Sequence, residues 1–176
     1  MLRIIIVTII LLKTSYVFAQ GYDVFGLGIY DVKFDGSSSN YATDLRYERR
    51  FDNTLINIGP EEDNFFYLKP FAGIEVTTDS AFYLISGIYL EDNLGELVVG
   101  KENNWNFTPS FGVGYYDDGN GKKLGNKIEF RTTLEFSYQL KSNDRIGISL
   151  GHISNANIGN KNPGVEIISL SYQKPF

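Results

Sequence analysis

The sequence contains no cysteine and a single histidine among its 176 residues. Without cysteine the chain has no disulfide scaffold, no thiolate metal site, no cysteine nucleophile and no N-terminal cysteine for lipid modification. One histidine also leaves little scope for metal chemistry. Basic residues are few as well, with 16 Lys and Arg against 21 Asp and Glu. Because nucleic-acid binding depends on clustered positive charge, we expect no nucleic-acid partner.

Long hydrophobic runs are missing too. The apolar stretch near the N-terminus extends only from Ile4 to Leu12, well short of the ~20 residues that a transmembrane helix needs. It follows Arg3 and is followed by Val17-Phe18-Ala19, with compact residues at the −3 and −1 positions. This pattern favours a secretory signal peptide over a membrane anchor. We therefore expect residues 1–19 to be cleaved and residues 20–176 to form one domain.

Three later segments alternate apolar and polar side chains with a period of two, which is the period of a strand. They cover residues 41–51, 105–115 and 127–140. A soluble sandwich can alternate in the same way. However, these runs have ~10 to 14 residues against a usual strand length of 5–6. They also begin or end in aromatic residues, as transmembrane strands with interfacial girdles do.

Weaker runs of the same type bring the count to eight strands; they cover residues 22–34, 65–77, 81–90, 144–154 and 165–176. An even number of antiparallel strands closes without an edge, and closure is obligatory in lipid because unpaired backbone groups there are very unfavourable. The sequence therefore predicts an all-β fold, an eight-stranded antiparallel transmembrane β-barrel. Its charged face would point inward, where both signs can pair: Asp44, Arg46, Glu48, Arg50, Glu129, Arg131 and Glu135.

The chain ends on Phe176, preceded by apolar residues of one parity, and this ending resembles the C-terminal signature of bacterial outer-membrane barrels. With a periplasmic N-terminus, the external loops would be residues 35–40, 78–80, 117–126 and 155–164. The periplasmic connections would be residues 52–64, 91–104 and 141–143. Two of these are long for periplasmic turns, so either neighbouring strands extend into them or the strand boundaries are displaced.

One group of residues breaks the pattern. His152 and Ser154 continue the apolar face of the seventh strand, and Glu166 begins that of the eighth. A pairing register in which residue numbers sum to 318 would set His152 opposite Glu166. A serine nucleophile, a histidine base and a carboxylate that orients the base are the groups that acyl-transfer hydrolysis needs. The alternative is an ion pair at the barrel rim beside a solvated hydroxyl.

The longer string around these residues is more specific. His152-Ile153-Ser154-Asn155, a short spacer, and then Asn162-Pro163-Gly164-Val165-Glu166 resembles the lipid A 3-O-deacylase family of outer-membrane barrels. The resemblance implies that Ser154 is the nucleophile, His152 the general base and acid, Glu166 the orienting carboxylate and Asn162 a donor to the oxyanion.

Physical reasoning suggests roles for Asn162 and for other residues in and near this string. A side-chain amide crossing above Ser154 could donate to a developing oxyanion, although Asn162 could equally begin the turn before Pro163-Gly164. Asn155 is expected to fix the loop, and Gly164 is expected to provide the backbone conformation that the turn needs.

Lys122, Lys123 and Lys161 lie in predicted external loops, where they could meet lipid A phosphates or simply solvate the loop.

The resemblance implies hydrolysis of the ester-linked 3-hydroxyacyl chain at position 3 of lipid A, within lipopolysaccharide of a Gram-negative outer membrane. This chemistry requires no metal or organic cofactor. A non-catalytic barrel that anchors or adheres is an alternative, as is an esterase or phospholipase acting on another membrane lipid. The sequence leaves the oligomeric state open, a homodimer included.

Overall fold

The structure is a computed structural model that describes residues 20–34, 41–60 and 64–176. The predicted signal peptide and the predicted loop 35–40 lie outside the described residues. Eight long strands dominate the described part of the chain: β1 (Gly21–Val32), β2 (Ala42–Phe51), β3 (Tyr67–Thr77), β4 (Phe82–Tyr89), β5 (Trp105–Asp117), β6 (Ile128–Gln139), β7 (Arg145–Ser154) and β8 (Val165–Pro175).

These strands form a closed antiparallel barrel. Each pairs with its neighbours in sequence, and β1 pairs with β8 as well as with β2, so that no strand is left as an edge. The predicted eight-stranded antiparallel barrel is therefore confirmed. Among the described residues, no helix is long and apolar enough to cross a membrane.

Side chains alternate between the two faces of the barrel wall. The outward face is apolar and includes Leu27, Leu45 and Ile148, each about half exposed. The inward face buries charged side chains, including Arg50, Arg131 and Glu48. A soluble protein of this size would bury its apolar face, so the inverted arrangement is that of a barrel whose outer surface meets lipid.

Glu135 is the centre of a hydrogen-bonded ion-pair network inside the barrel. Its carboxylate accepts hydrogen bonds from Arg50 at 2.6 Å, Arg46 at 3.2 Å, Gln173 at 2.8 Å and Ser171 at 3.2 Å. These bonds join β2, β6 and β8 across the interior. Buried charges of opposite sign compensate one another when they are paired and hydrogen-bonded in this way.

A second part of the network joins β6 to β2 and β3. Arg131 donates to Glu75 at 2.7 Å and also to Glu48. The prediction that the inward charges pair is not met by every residue, however. The carboxylate oxygens of Asp44 and Glu129 are buried and have no hydrogen-bond partner among the described residues. Both carboxylates lie inside the barrel as expected. The interior arginines Arg46, Arg50 and Arg131, however, donate to other carboxylates.

Aromatic side chains surround the end of the barrel that holds both chain termini of the domain. Trp105 on β5 packs edge-on against Tyr138 on β6, with ring centroids 5.2 Å apart. The terminal Phe176 packs edge-on against Phe51, and the guanidinium of Arg49 lies 3.9 Å from its ring centroid. Phe176 also donates its backbone N–H to Gly21, so the terminal residue fastens the end of β8 to the start of β1.

The two long connections at this same end contain short elements of their own. Ile56–Asn57 pairs with the first residues of β3, and Asp92–Asn93 pairs with β5. Both pairings extend neighbouring hairpins, which agrees with the expectation that neighbouring strands extend into these connections. The second connection also contains a short helix, α1 (Leu94–Val99), which the sequence analysis did not predict. Asn93 caps α1 by accepting hydrogen bonds from the N–H groups of its first turn.

Candidate active site

The candidate site lies where β7 ends and β8 begins, at the barrel end opposite the chain termini. Glu166 is paired with His152 in the β7–β8 ladder, and Val165 is paired with Ile153. This is the register, with residue numbers that sum to 318, under which the sequence analysis expected His152 to lie opposite Glu166. Because residues directly opposite each other on an antiparallel pair share one face, the imidazole and the carboxylate are brought together on the outer wall.

His152 and Glu166 are in direct contact. Nδ1 of His152 lies 3.2 Å from Oε1 of Glu166, and the histidine side chain is about half exposed. Their neighbours on the same outward face are the apolar Leu150 and Ile168. A carboxylate on an apolar wall is unfavourable by itself, and here the imidazole supplies the compensating partner. A neutral imidazole that donates its Nδ1–H to a carboxylate leaves Nε2 free to accept a proton.

Ser154 is the last residue of β7 and is partly buried. It lies on the same face as His152 and two residues along the strand, which corresponds to ~6.5–7 Å between Cα atoms. Among the described residues, no hydrogen bond joins its hydroxyl to the imidazole. The structure therefore brings His152 and Glu166 into contact and places Ser154 beside them. Catalytic hydrogen bonds are often long in the absence of substrate and shorten when it binds.

Asn155 fixes the loop that follows Ser154. Its side chain is fully buried and donates to the carbonyls of Leu124 at 2.9 Å and Lys161 at 2.8 Å. Its side-chain oxygen accepts from the N–H of Asn157 at 3.0 Å. All three polar positions of the amide are thus used within the loops.

Asn162 approaches the residue after the candidate nucleophile. Its side-chain oxygen accepts a hydrogen bond from the backbone N–H of Asn155 at 3.0 Å. In many serine hydrolases the N–H of the residue after the nucleophile stabilises the oxyanion. Here that N–H is already engaged. The same bond fixes the orientation of the Asn162 amide and leaves its NH₂ group available as a donor.

Gly164 lies directly against the imidazole. Its φ of +60° is in the left-handed region, and a Cβ built on it would be 2.9 Å from Cε1 of His152. Any other residue would therefore strain the backbone and push the ring. Glycine at this position allows the β7–β8 loop to close over His152 without displacing it.

The three loop lysines differ in their surroundings. Lys122 forms an ion pair with Asp31, and burial lowers the pKa of its ammonium group. Lys123 and Lys161 line an open groove beside the site. Leu124 and Gly125 also contact the site loop, although neither residue was among the predicted site residues. These contacts join residues about 30 positions apart, and no local pattern signals them.

Known proteins resemble parts of this chain in sequence. The family model described as lipid A 3-O-deacylase (PagL) matches residues 93–175. A curated relative, the lipid A deacylase PagL of Bordetella bronchiseptica (strain ATCC BAA-588 / NCTC 13252 / RB50), is 34% identical over 55 residues; the match spans 31% of this chain and 31% of the relative. The chain thus aligns with about a third of the length of that relative.

Two solved structures share the barrel architecture. The crystal structure of the outer membrane enzyme PagL aligns with a TM-score of 0.64 and 15% identity, covering 89% of this chain and all of the other. A de novo designed transmembrane β-barrel aligns with a TM-score of 0.54 and 13% identity, covering 89% and 96%. Since a designed chain shares the fold, the fold alone does not specify an activity. The resemblance to the lipid A 3-O-deacylase family that the site residues suggest is confirmed, since the family model matches residues 93–175 and with them the whole candidate site.

Proposed function

We propose that the chain is an ester hydrolase of the outer membrane that removes the 3-hydroxyacyl chain from position 3 of lipid A. One observation carries the proposal. His152 and Glu166 form a contact on the apolar outer wall, with a serine on the same face two residues away. An imidazole–carboxylate pair beside a serine, on a surface that meets acyl chains, is the arrangement that a serine esterase uses.

Each residue of the group has a distinct role. Glu166 holds the Nδ1–H of His152, so that Nε2 is the basic nitrogen and takes the proton of Ser154 as the hydroxyl oxygen attacks the ester carbonyl. The tetrahedral intermediate collapses, His152 returns the proton to the departing sugar oxygen, and an acyl-serine remains. Water, deprotonated by His152, then attacks the acyl-serine. The fatty acid leaves and Ser154 regains its proton.

Asn162 is the proposed oxyanion donor. The hydrogen bond from the N–H of Asn155 orients its amide, so the NH₂ group is positioned before substrate arrives. A donor held in place in advance stabilises developing charge without reorganisation during the reaction.

The position of the site on the wall fits a lipid substrate. Ile148 and Leu150 precede His152 on the same outward face and are about half exposed, so a hydroxyacyl chain can lie along β7. Its ester carbonyl would then reach Ser154 at the end of the strand. In this orientation the site end of the barrel faces the outer leaflet, where lipopolysaccharide resides.

Mass spectrometry of the product tests the reaction. Purified wild-type protein, incubated with lipid A in detergent, is expected to yield lipid A that has lost one 3-linked hydroxyacyl group, together with the free fatty acid. Phospholipid incubated in parallel should stay intact. Release of fatty acid from phospholipid alone would instead indicate a phospholipase. No release from either lipid by folded protein would favour the non-catalytic barrel.

Substitution of Asn162 separates its two roles. Asn162→Asp keeps the oxygen that accepts from Asn155 but removes the NH₂ donor, so we expect kcat to fall by ~10²–10³ while thermal stability in detergent changes little. Initial rates of acyl release at saturating lipid A measure the effect. A variant with near wild-type kcat would show that Asn162 serves only the turn.

A further inference from the structure

A groove of about 420 Å³ lies beside the candidate site, between the β5–β6 loop and the β7–β8 loop. Three lysines line it: Lys123 and Lys127 from the first loop and Lys161 from the second. Tyr116 and Asp118 are also part of the lining. Lys161 immediately precedes Asn162 in the chain, so the groove and the candidate site share the β7–β8 loop.

The groove concentrates positive charge in a chain whose net charge is −5. Lys127 is partly neutralised, since its ammonium group lies 2.9 Å from Asp117 and 3.5 Å from Asp118, and the first of these contacts raises its pKa. Lys123 and Lys161, in contrast, form no ion pair with any described residue. The lining of the groove thus includes two lysines without an ion pair among the described residues.

The two loops are locked together beside this opening. Gly125 has a φ of +99°, and a Cβ built on it would be 2.2 Å from the carbonyl oxygen of Lys161. A Cβ on Gly159 would be 2.6 Å from the carbonyl oxygen of Gly125. Asn155 bonds to both loops, through the carbonyls of Leu124 and Lys161. The backbone of the groove therefore has a fixed position relative to Ser154.

We propose that this lysine groove binds a phosphomonoester on the sugar headgroup of the glycolipid whose acyl chain reaches Ser154. The inference rests on the proposed function. Ammonium groups are compact charges that bind phosphate oxygens well, and a dianion would compensate Lys123 and Lys161 together. Anchoring the headgroup at a fixed distance from the nucleophile would select the acyl chain that is presented to Ser154.

The test measures binding without turnover, in the Ser154→Ala background. The full chain in detergent is titrated with lipid A and with the same lipid A after removal of its phosphates. We expect the phosphorylated lipid to bind ~10-fold more tightly or better, because each charge-assisted contact contributes appreciably. Adding Lys123→Gln and Lys161→Gln should reduce that preference to within about twofold.

A matched control carries Lys101→Gln and Lys141→Gln, two exposed lysines at the opposite end of the barrel, and should keep the full preference. Arginine at positions 123 and 161 should also keep it. Equal binding of both lipids by the unmodified groove would overturn the proposal, as would a preference that the glutamine substitutions leave intact. Inorganic phosphate that binds the groove as tightly as the glycolipid would show a site for free phosphate instead.

The assay of acyl release by wild-type protein keeps the two proposals apart. Release of acyl chains with the same kcat/KM from phosphorylated and dephosphorylated lipid A would support the hydrolase and overturn the headgroup site. Lysine-dependent binding of phosphorylated lipid A without any acyl release would support the groove and overturn the hydrolase.

Discussion

Ser154→Ala is expected to lower the kcat of acyl release by about 10⁴-fold or more, while the barrel stays folded. Ser154 is only partly buried, and its hydroxyl oxygen is the atom that would form the proposed acyl intermediate. Since it makes no hydrogen bond to a described residue, its removal should not affect stability. Single-turnover release of fatty acid from lipid A, followed by mass spectrometry, measures the loss.

The residues of the group should act as a unit. His152→Ala is expected to reduce kcat about as much as Ser154→Ala, and Glu166→Gln somewhat less, since it removes the carboxylate that fixes the imidazole tautomer. The triple variant should be no slower than the slowest single variant. Effects that multiply instead would mean that the three side chains act independently, contrary to the proposed mechanism.

Ser86→Ala provides the matched control for the serine. Ser86 is an exposed serine on the outer face of β4, so its loss tests the effect of removing a wall hydroxyl away from the site. Its kcat should equal that of wild type. A decrease in kcat of less than tenfold in Ser154→Ala would contradict the assignment of Ser154 as the nucleophile.

Glu135→Ala is expected to lower the free energy of unfolding by about 3–5 kcal/mol. Its carboxylate accepts from two arginines and two neutral donors inside the barrel. Removing it leaves Glu48 as the remaining carboxylate that pairs with Arg46 and with Arg50 among the described residues. Denaturant unfolding in detergent, followed by the electrophoretic shift of the folded barrel, measures the change.

An exposed ion pair supplies the comparison. Asp52 and Lys69 approach to 2.6 Å, but the carboxylate side chain is about half exposed. Asp52→Asn should therefore change the free energy of unfolding by only about 0–1 kcal/mol. Comparable losses in Glu135→Ala and Asp52→Asn would show that the interior network contributes no more than a surface contact.

Strand positions were predictable because the side-chain period of a strand is visible in the sequence. In β2 and β6 the charged residues, apart from Arg49, fall on one parity and most apolar residues fall on the other, and both faces appear in the structure as predicted. The helix α1 was not predictable in the same way. Its six residues are too few to display a helical period, and its start depends on a cap by Asn93 and its end on Gly100 in a left-handed conformation.

The candidate site was predictable to a different degree for each residue. Parity placed His152 and Glu166 on one face, and a register with residue numbers that sum to 318 would set them opposite each other. The contacts of Asn155 with Leu124 and of Asn162 with the N–H of Asn155 were not predictable, because they depend on how two loops fold over one another. The ion pair of Lys122 was not predictable either, because its partner Asp31 lies on β1, far away in the sequence.

The interior of the barrel determines how a lipid can reach the outer wall. Ion pairs join β2 to β6 across the lumen, and the site residues face the other way. A lipid substrate of the proposed hydrolase would therefore arrive by lateral diffusion within one leaflet, in two dimensions. The concentration that governs encounter is then the mole fraction of substrate in that leaflet, not its amount per volume of solution. Neighbouring lipids and added detergent would lower that mole fraction. They would therefore slow the encounter of substrate with the site even without any affinity for it.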